Sequence, residues 1–179
     1  MSVFLLLLCT IIPPDEPVII DFGADRSGYD WATINDRVMG GRSLGDAFLT
    51  DSSVVYEGTQ SLENNGGFVS LRAPFRKYDL SEVEKITIRY KNEGIAFALQ
   101  LEQDRRFYIP NYKQKLEKTG EGWNTVTVQL TGMGEYRVGG RTGRSLTEQK
   151  KSQLIRLGFI SDEKKSGPYR LEIDWIKLE

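Results

Sequence analysis

The sequence predicts an all-β fold, a sandwich or closed barrel. Short segments alternate apolar and polar residues with period two, as half-buried strands do. Gly, Asn, Asp or Pro separate most of them, and helix signals are confined to one place. In chain order the expected strands are 18–22, 53–57, 68–72, 85–91, 95–102, 106–109, 124–130, 155–161 and 169–174. The clearest is Lys85 to Lys91, with Ile86, Ile88 and Tyr90 on one face and charges on the other. Asn124 to Leu130 repeats this with Val126, Val128 and Leu130, and Tyr169, Leu171 and Ile173 share a face of the last strand. There Trp175-Ile176 breaks the alternation, which predicts a bulge. Ser145 and Glu148 have capping-box spacing, so one short helix is expected to run from Ser145 to about Leu154. Asp162 to Gly167 is expected as a solvated turn, and Trp31, Trp123 and Trp175 as core residues.

A chain of 179 residues and 20.3 kDa suits one domain, expected over 18–179 behind a leader at 1–17. With 39% hydrophobic and 27% charged residues it excludes disordered, collagen-like and polytopic membrane classes. The absences exclude more. There is no histidine and only one cysteine, Cys9, so Ser-His-Asp or Cys-His catalysis, zinc sites built from His and Cys, and an internal disulfide cannot be assembled.

Net charge is −1, which argues against nucleic-acid binding, yet the chain is polarised. Residues 1–104 carry nine Lys/Arg against sixteen Asp/Glu, and residues 105–179 carry fifteen against nine. Arg105 to Arg156 concentrates basic residues, either as a patch for an anionic partner or as a scattered solvated surface.

Val3 to Ile12 is apolar but shorter than the roughly 20 residues that span a bilayer. Its length suits a signal-peptide h-region, although no Lys or Arg precedes it. Leu6-Leu7-Leu8-Cys9 resembles a degenerate lipoprotein box, with Leu8 where a small residue belongs. Export or lipid anchoring stands beside a cytoplasmic protein whose apolar leader packs on the domain or frays. Pro13, Pro14 and Pro17 form a stiff spacer.

Strand periodicity leaves Trp31 to Ser43 unexplained. Gly40-Gly41 permits backbone angles closed to other residues, and Asn35-Asp36 supplies turn-forming, hydrogen-bonding groups. One reading is a binding loop offering an aromatic ring, a carboxylate, a guanidinium and free amides. The other is a buried plug in which Trp31 and Met39 fill the sandwich end while Asp36 satisfies backbone donors, and the residues favour it. Asp36 is expected to pair with Arg37 or Arg72 if it forms an ion pair.

The stretch Trp31…Asn35-Asp36-Arg37-Val38-Met39-Gly40-Gly41-Arg42-Ser43 resembles the signature of the complex I intermediate-associated protein 30 family. Asn65-Gly66-Gly67-Phe68-Val69-Ser70-Leu71-Arg72, Gly122-Trp123-Asn124-Thr125-Val126, Ile155 to Phe159 and Gly167 to Asp174 are similar to later family motifs, in the same order. The resemblance runs from about Ile19 to the end and departs at Tyr169, where the family often has Phe, and over Arg105 to Gly122. It implies a galactose-binding-domain-like jelly-roll sandwich with at most one or two short helices. It also implies a non-catalytic, chaperone-like assembly role for NADH:ubiquinone oxidoreductase; no cofactor or metal is expected, with a calcium site of carboxylates and carbonyls left open, and the plain form here looks more like the bacterial relatives.

Three functions are therefore weighed. The leading one is a protein-binding or assembly module, with subunits of a membrane respiratory complex as candidate partners. Its candidate contacts are Trp31, Asn35, Asp36, Arg37, Met39, Gly40, Gly41, Ser43, Gly66, Gly67 and Arg72. The second is a carbohydrate-binding module using Tyr108, Tyr112, Trp123 or Tyr136, favoured by an exposed aromatic pair and disfavoured by a purely charged face. The third and least favoured is a carboxylate-based enzyme with Asp36 as its first suspect.

Overall fold

A computed structural model describes residues 17–24, 26 and 30–179; residues 1–16 of the expected leader and Pro-rich spacer lie outside the described residues. Among the described residues thirteen strands build two antiparallel sheets: β1 (Val18–Asp21), β2 (Ala32–Asn35), β3 (Leu44–Leu49), β4 (Val54–Gln60), β5 (Val69–Arg72), β6 (Lys85–Glu93), β7 (Phe97–Glu102), β8 (Asn111–Lys115), β9 (Asn124–Gln129), β10 (Gly134–Arg137), β11 (Gly140–Ser145), β12 (Arg156–Ser161) and β13 (Gly167–Leu178). One sheet runs β3-β4-β13-β6-β9, with β1 on the far part of β13; the other runs β11-β10-β8-β7-β12-β5-β2.

The core between them follows from the alternation. Ile86, Ile88 and Tyr90 of β6 are fully buried against Leu71, Phe97, Leu99 and Phe159 of the seven-stranded sheet. Tyr56, Phe97 and Tyr169 meet edge-on or tilted, with centroids 5.0 to 6.0 Å apart, a favourable aromatic geometry. The bulge is where the broken alternation places it, between Ile173 and Trp175; β6 follows one edge of β13 from Arg170 to Leu178, while on the other edge β4 pairs with Gly167 to Ile173 and β1 with Trp175 to Leu178.

Several expectations are corrected. Residues 106–109 are a turn, because the Asp104 carboxylate takes the Arg106 N–H at 2.9 Å and Ile109 N–H donates to Arg106 O at 3.1 Å. That local bonding replaces a ladder. Strands β2, β3, β8, β10 and β11 lack a clean apolar alternation; β10 and β11 form a largely exposed Gly- and Arg-rich hairpin. The helix is a single turn, Glu148–Lys151 (α1), with Thr147 in the N-cap position but making no side-chain cap bond, while Ser145 is committed to β11 opposite Gly134. The tryptophans are half-buried, and only Trp31 packs on the core. Trp123 lies on the outer face of the six-stranded sheet, with Arg89 and Lys91 4.7 and 4.4 Å from its ring. Among the described residues no helix is long and apolar enough to cross a membrane.

Candidate functional site

The motif loop is organised by Asp36, which is 1% exposed. Asn35 ends β2 and caps a 3-10 turn over Asp36–Met39, its Oδ1 accepting from Arg37 N–H at 3.2 Å. The turn aims the Asp36 carboxylate inward. Oδ1 accepts from Ser43 N–H at 2.9 Å, and Oδ2 accepts from Ser43 Oγ–H and Gly67 N–H, both at 2.6 Å. Asp36 N–H donates to Phe68 O at 3.1 Å, and Ser43 Oγ accepts from Ser61 N–H at 2.9 Å. One carboxylate thus ties the ends of β2, β3, β4 and β5 together. Burial pushes its pKa up, but the bonds from Gly67 and Ser43 outweigh burial and hold it below the ordinary 3.8, so it stays ionised.

The glycines follow from the same geometry. A Cβ on Gly41 would lie 2.4 Å from Asp36 Cγ, and one on Gly66 would lie 2.5 Å from Oδ2. Gly40 closes the turn at φ 87°, and its carbonyl accepts from Asn64 Nδ2 at 3.2 Å. Asp36 forms its bonds without Arg37, which is exposed, or Arg72, whose ion pair is with Glu102. Trp31 stacks on Phe159 at 6.1 Å and meets Phe22 edge-on at 5.2 Å. Met39 does not fill the sandwich end: it is 75% exposed, with Val38 beside it at 73%.

Met39 instead stands on the rim of a cleft of about 540 Å³ across the outer face of the seven-stranded sheet. Arg72, Gln100, Glu102, Asn111 and Lys113 come from its sheet strands, while Gly41, Gly66 and Gly67 bring the back of the Asp36 hub to its edge. The strand register sets the floor in rows. Gly158 lies opposite both Arg72 and Gln100, and Gln100 lies opposite Lys113; in the next row Glu102 lies between Arg156 and Asn111. Glu102 Oε1 accepts from Arg72 at 2.9 Å, its Oε2 lies 3.5 Å from Arg156, and all three side chains are more than four-fifths buried. Phe107, 77% exposed, and Val138, 65% exposed, complete an apolar rim with Met39.

Of the residues expected from the sequence, Asp36, Met39, Gly41, Gly66, Gly67 and Arg72 reach this cleft. Asn35, Gly40 and Ser43 serve the hub behind it. Of the aromatic candidates, Tyr112 is fully buried and Tyr136 lies against Lys113 at 4.6 Å. Tyr108 stands edge-on to Phe107 at 5.7 Å. Reasoning from sequence missed Gln100, Glu102, Asn111 and the 103–110 turn. The outward positions of β7 carried the signal, but reading 106–109 as a strand hid the rim.

The basic residues of 105–156 form no single free patch. Arg144 and Lys150 both reach buried Glu135, Lys113 faces Asp162, Lys118 pairs with Glu163 and Arg106 with Asp104. No three His, Cys, Asp or Glu side chains among the described residues are grouped to hold a metal ion.

This architecture is a jelly-roll β-sandwich, and solved structures are similar to it at the level of fold. A family 11 module from a cellulosomal cellulase of Clostridium thermocellum superposes with a TM-score of 0.67 at 14% identity, covering 90% of this chain and 93% of that one. The family 11 module from the same organism in complex with a β-1,3-1,4-mixed-linked tetrasaccharide gives 0.59 at 15% identity, covering 84% and 88%. An exo-β-agarase gives 0.59 at 11% identity, covering 93% of this chain and 25% of that one. No curated protein sequence matches the chain. The family model for complex I intermediate-associated protein 30 matches residues 20–173, and the chain belongs to that family.

Proposed function

We propose that the chain is a non-catalytic binding module that holds a segment of a protein partner in the cleft over the seven-stranded sheet. The observation that carries this reading is the rim. Met39, Phe107 and Val138 are all at least 65% exposed around one concavity, and three apolar side chains converging on a cleft are a docking feature. Family membership favours an assembly partner, and subunits of a membrane respiratory complex are the first candidates.

The non-catalytic part rests on Asp36. A carboxylate held by Ser43 and Gly67, buried and kept ionised, is poorly placed to accept or deliver a proton in the cleft.

A carbohydrate reading is the alternative, favoured by the exposed Phe107–Tyr108 pair and by polar Gln100 and Asn111 on the floor. The two rings are nearly perpendicular, at 84°, so they offer no flat two-ring platform for a sugar.

Affinity purification from the native organism in mild detergent, followed by mass spectrometry, tests the proposal with wild type and Phe107→Ser. Recovery of respiratory-complex subunits by wild type alone is expected. If neither protein recovers a specific partner and wild type binds mixed-linked β-glucan on a glycan array, the carbohydrate reading replaces it.

A further inference from the structure

We propose that the cleft selects an acidic segment, an extended peptide whose carboxylate meets Arg105 beside the Arg72–Glu102 pair while a neighbouring apolar side chain seats on Phe107 and Met39. This rests on reading the cleft as a protein-binding site and names the chemistry of what it takes.

The argument begins with a local excess of charge. Glu102 is shared by Arg72 and Arg156. Arg156 and Arg105 both stack on Phe75, their guanidinium carbons 3.5 and 4.4 Å from the ring centroid. Two guanidinium groups therefore share the Glu102 carboxylate, and a third, that of Arg105, lies on the same Phe75 ring as Arg156. The nearby Asp104 does not neutralise the third, because Arg106 engages both its oxygens, at 2.9 and 2.6 Å. Among the described residues no carboxylate pairs with Arg105. Burial first, and then the like charges of Arg72 and Arg105, hold Arg156 below its usual basicity in spite of Glu102, as expected where positive charge is incompletely compensated.

Elsewhere in the cleft Lys113 faces Asp162 at 3.8 Å, while Lys164 also lines it with no ion pair among the described residues, so unpaired positive charge lies at Arg105 and at Lys164. An anionic ligand group there gains from charge complementarity. Phe107 is only two positions beyond Arg105, which sets a carboxylate next to an apolar anchor.

A second observation concerns the backbone of the ligand. Asn111 lines the cleft in the same row as Glu102, and its Oδ1 is buried with no hydrogen-bond partner among the described residues. A buried acceptor left unmade is costly, and turning this amide into the cleft would let it take a ligand N–H. The floor also favours an extended occupant. Gly158 presents no side chain, and a Cβ there would come within 3.2 Å of Arg72 Cγ, so the glycine lets Arg72 lie across the sheet as a low floor.

The test is fluorescence polarisation on the full chain with a labelled decapeptide of alternating Glu, Leu and Ser, and its Gln and Lys counterparts. The Glu peptide is expected to bind about tenfold tighter than the Gln peptide at low salt, an advantage that shrinks in about 0.5 M salt. Arg105→Gln, exposed and therefore expected to melt as wild type does, should bring the Glu-to-Gln ratio near one. Equal binding of Glu and Gln peptides by wild type would overturn the acidic preference and leave the protein-binding reading intact. Failure of all three peptides would overturn the inference, and binding of a mixed-linked tetrasaccharide in their place would overturn the parent reading as well.

Discussion

The Asp36 hub and the cleft in front of it share a wall and differ in almost every physical respect. In the hub a 1%-exposed carboxylate meets Ser43 and Gly67 donors, and Gly41 and Gly66 leave no room for a side chain. In the cleft Met39 and Phe107 are about three-quarters exposed, Asn111 Oδ1 has no partner among the described residues, and Arg105 has no carboxylate. A network with its bonds already made specifies structure, whereas a concavity with bonds still to make is where a ligand gains. The most specific sequence motif therefore builds the wall of the proposed site, and the less patterned 103–110 turn supplies its open contacts.

The contrast breaks most sharply at Asp36. Asp36→Ala strands buried donors from two residues and is expected to cost about 3–5 kcal/mol in denaturant unfolding, with loss of soluble yield. A normal unfolding curve with lost binding would move Asp36 from the wall to the ligand surface. Gly66→Ala should cost about 2–3 kcal/mol by forcing Oδ2 aside, which the shift in denaturant midpoint measures. Glu102→Ala comes next at about 2 kcal/mol, because it leaves the largely buried Arg72 and Arg156 without their shared carboxylate.

Acid sharpens the same distinction. The folded-state pKa of Asp36 lies below 3.8, and those of Glu135 and Glu172 below 4.5; in each case hydrogen bonds override burial. A depressed carboxyl pKa contributes stability that is fully present above its unfolded value and is lost as pH falls through the folded one. Melting temperature is thus expected to be nearly level from pH 7 to about 5 and to fall below about 4. A melting temperature that stays level down to pH 3 would count against the hub as a source of stability. The smallest effect on stability is expected on the rim, where Phe107→Ser should change unfolding by less than about 0.5 kcal/mol.

Much of the fold was legible because strands buried on one face announce themselves. Lys85 to Lys91 alternates cleanly since Ile86, Ile88 and Tyr90 face the core while Arg89 and Lys91 face Trp123 and solvent. Strands such as β8, with Asn111, Lys113 and Lys115 on its outer face, carry too little apolar signal to be read. Their place is fixed by ladder bonds to neighbours distant in sequence, which no local pattern records. Trp123 was assigned to the core because large aromatics usually go there, yet two cations hold it on a sheet surface. In the site, the Asp36 loop could be read as a structured turn with a buried plug among its readings, but the outward turn of Met39 could not. The capping-box spacing at Ser145 is outcompeted by pairing with Gly134, which moves the N-cap position to Thr147 and the helix start to Glu148.

The most direct test measures stability and partner capture together for two variants, Asp36→Asn and Phe107→Ser. The account predicts that Asp36→Asn unfolds at clearly lower denaturant, while Phe107→Ser unfolds like wild type and no longer recovers the partner. An Asp36→Asn protein of normal stability that fails to bind, beside a Phe107→Ser protein that binds fully, would contradict it.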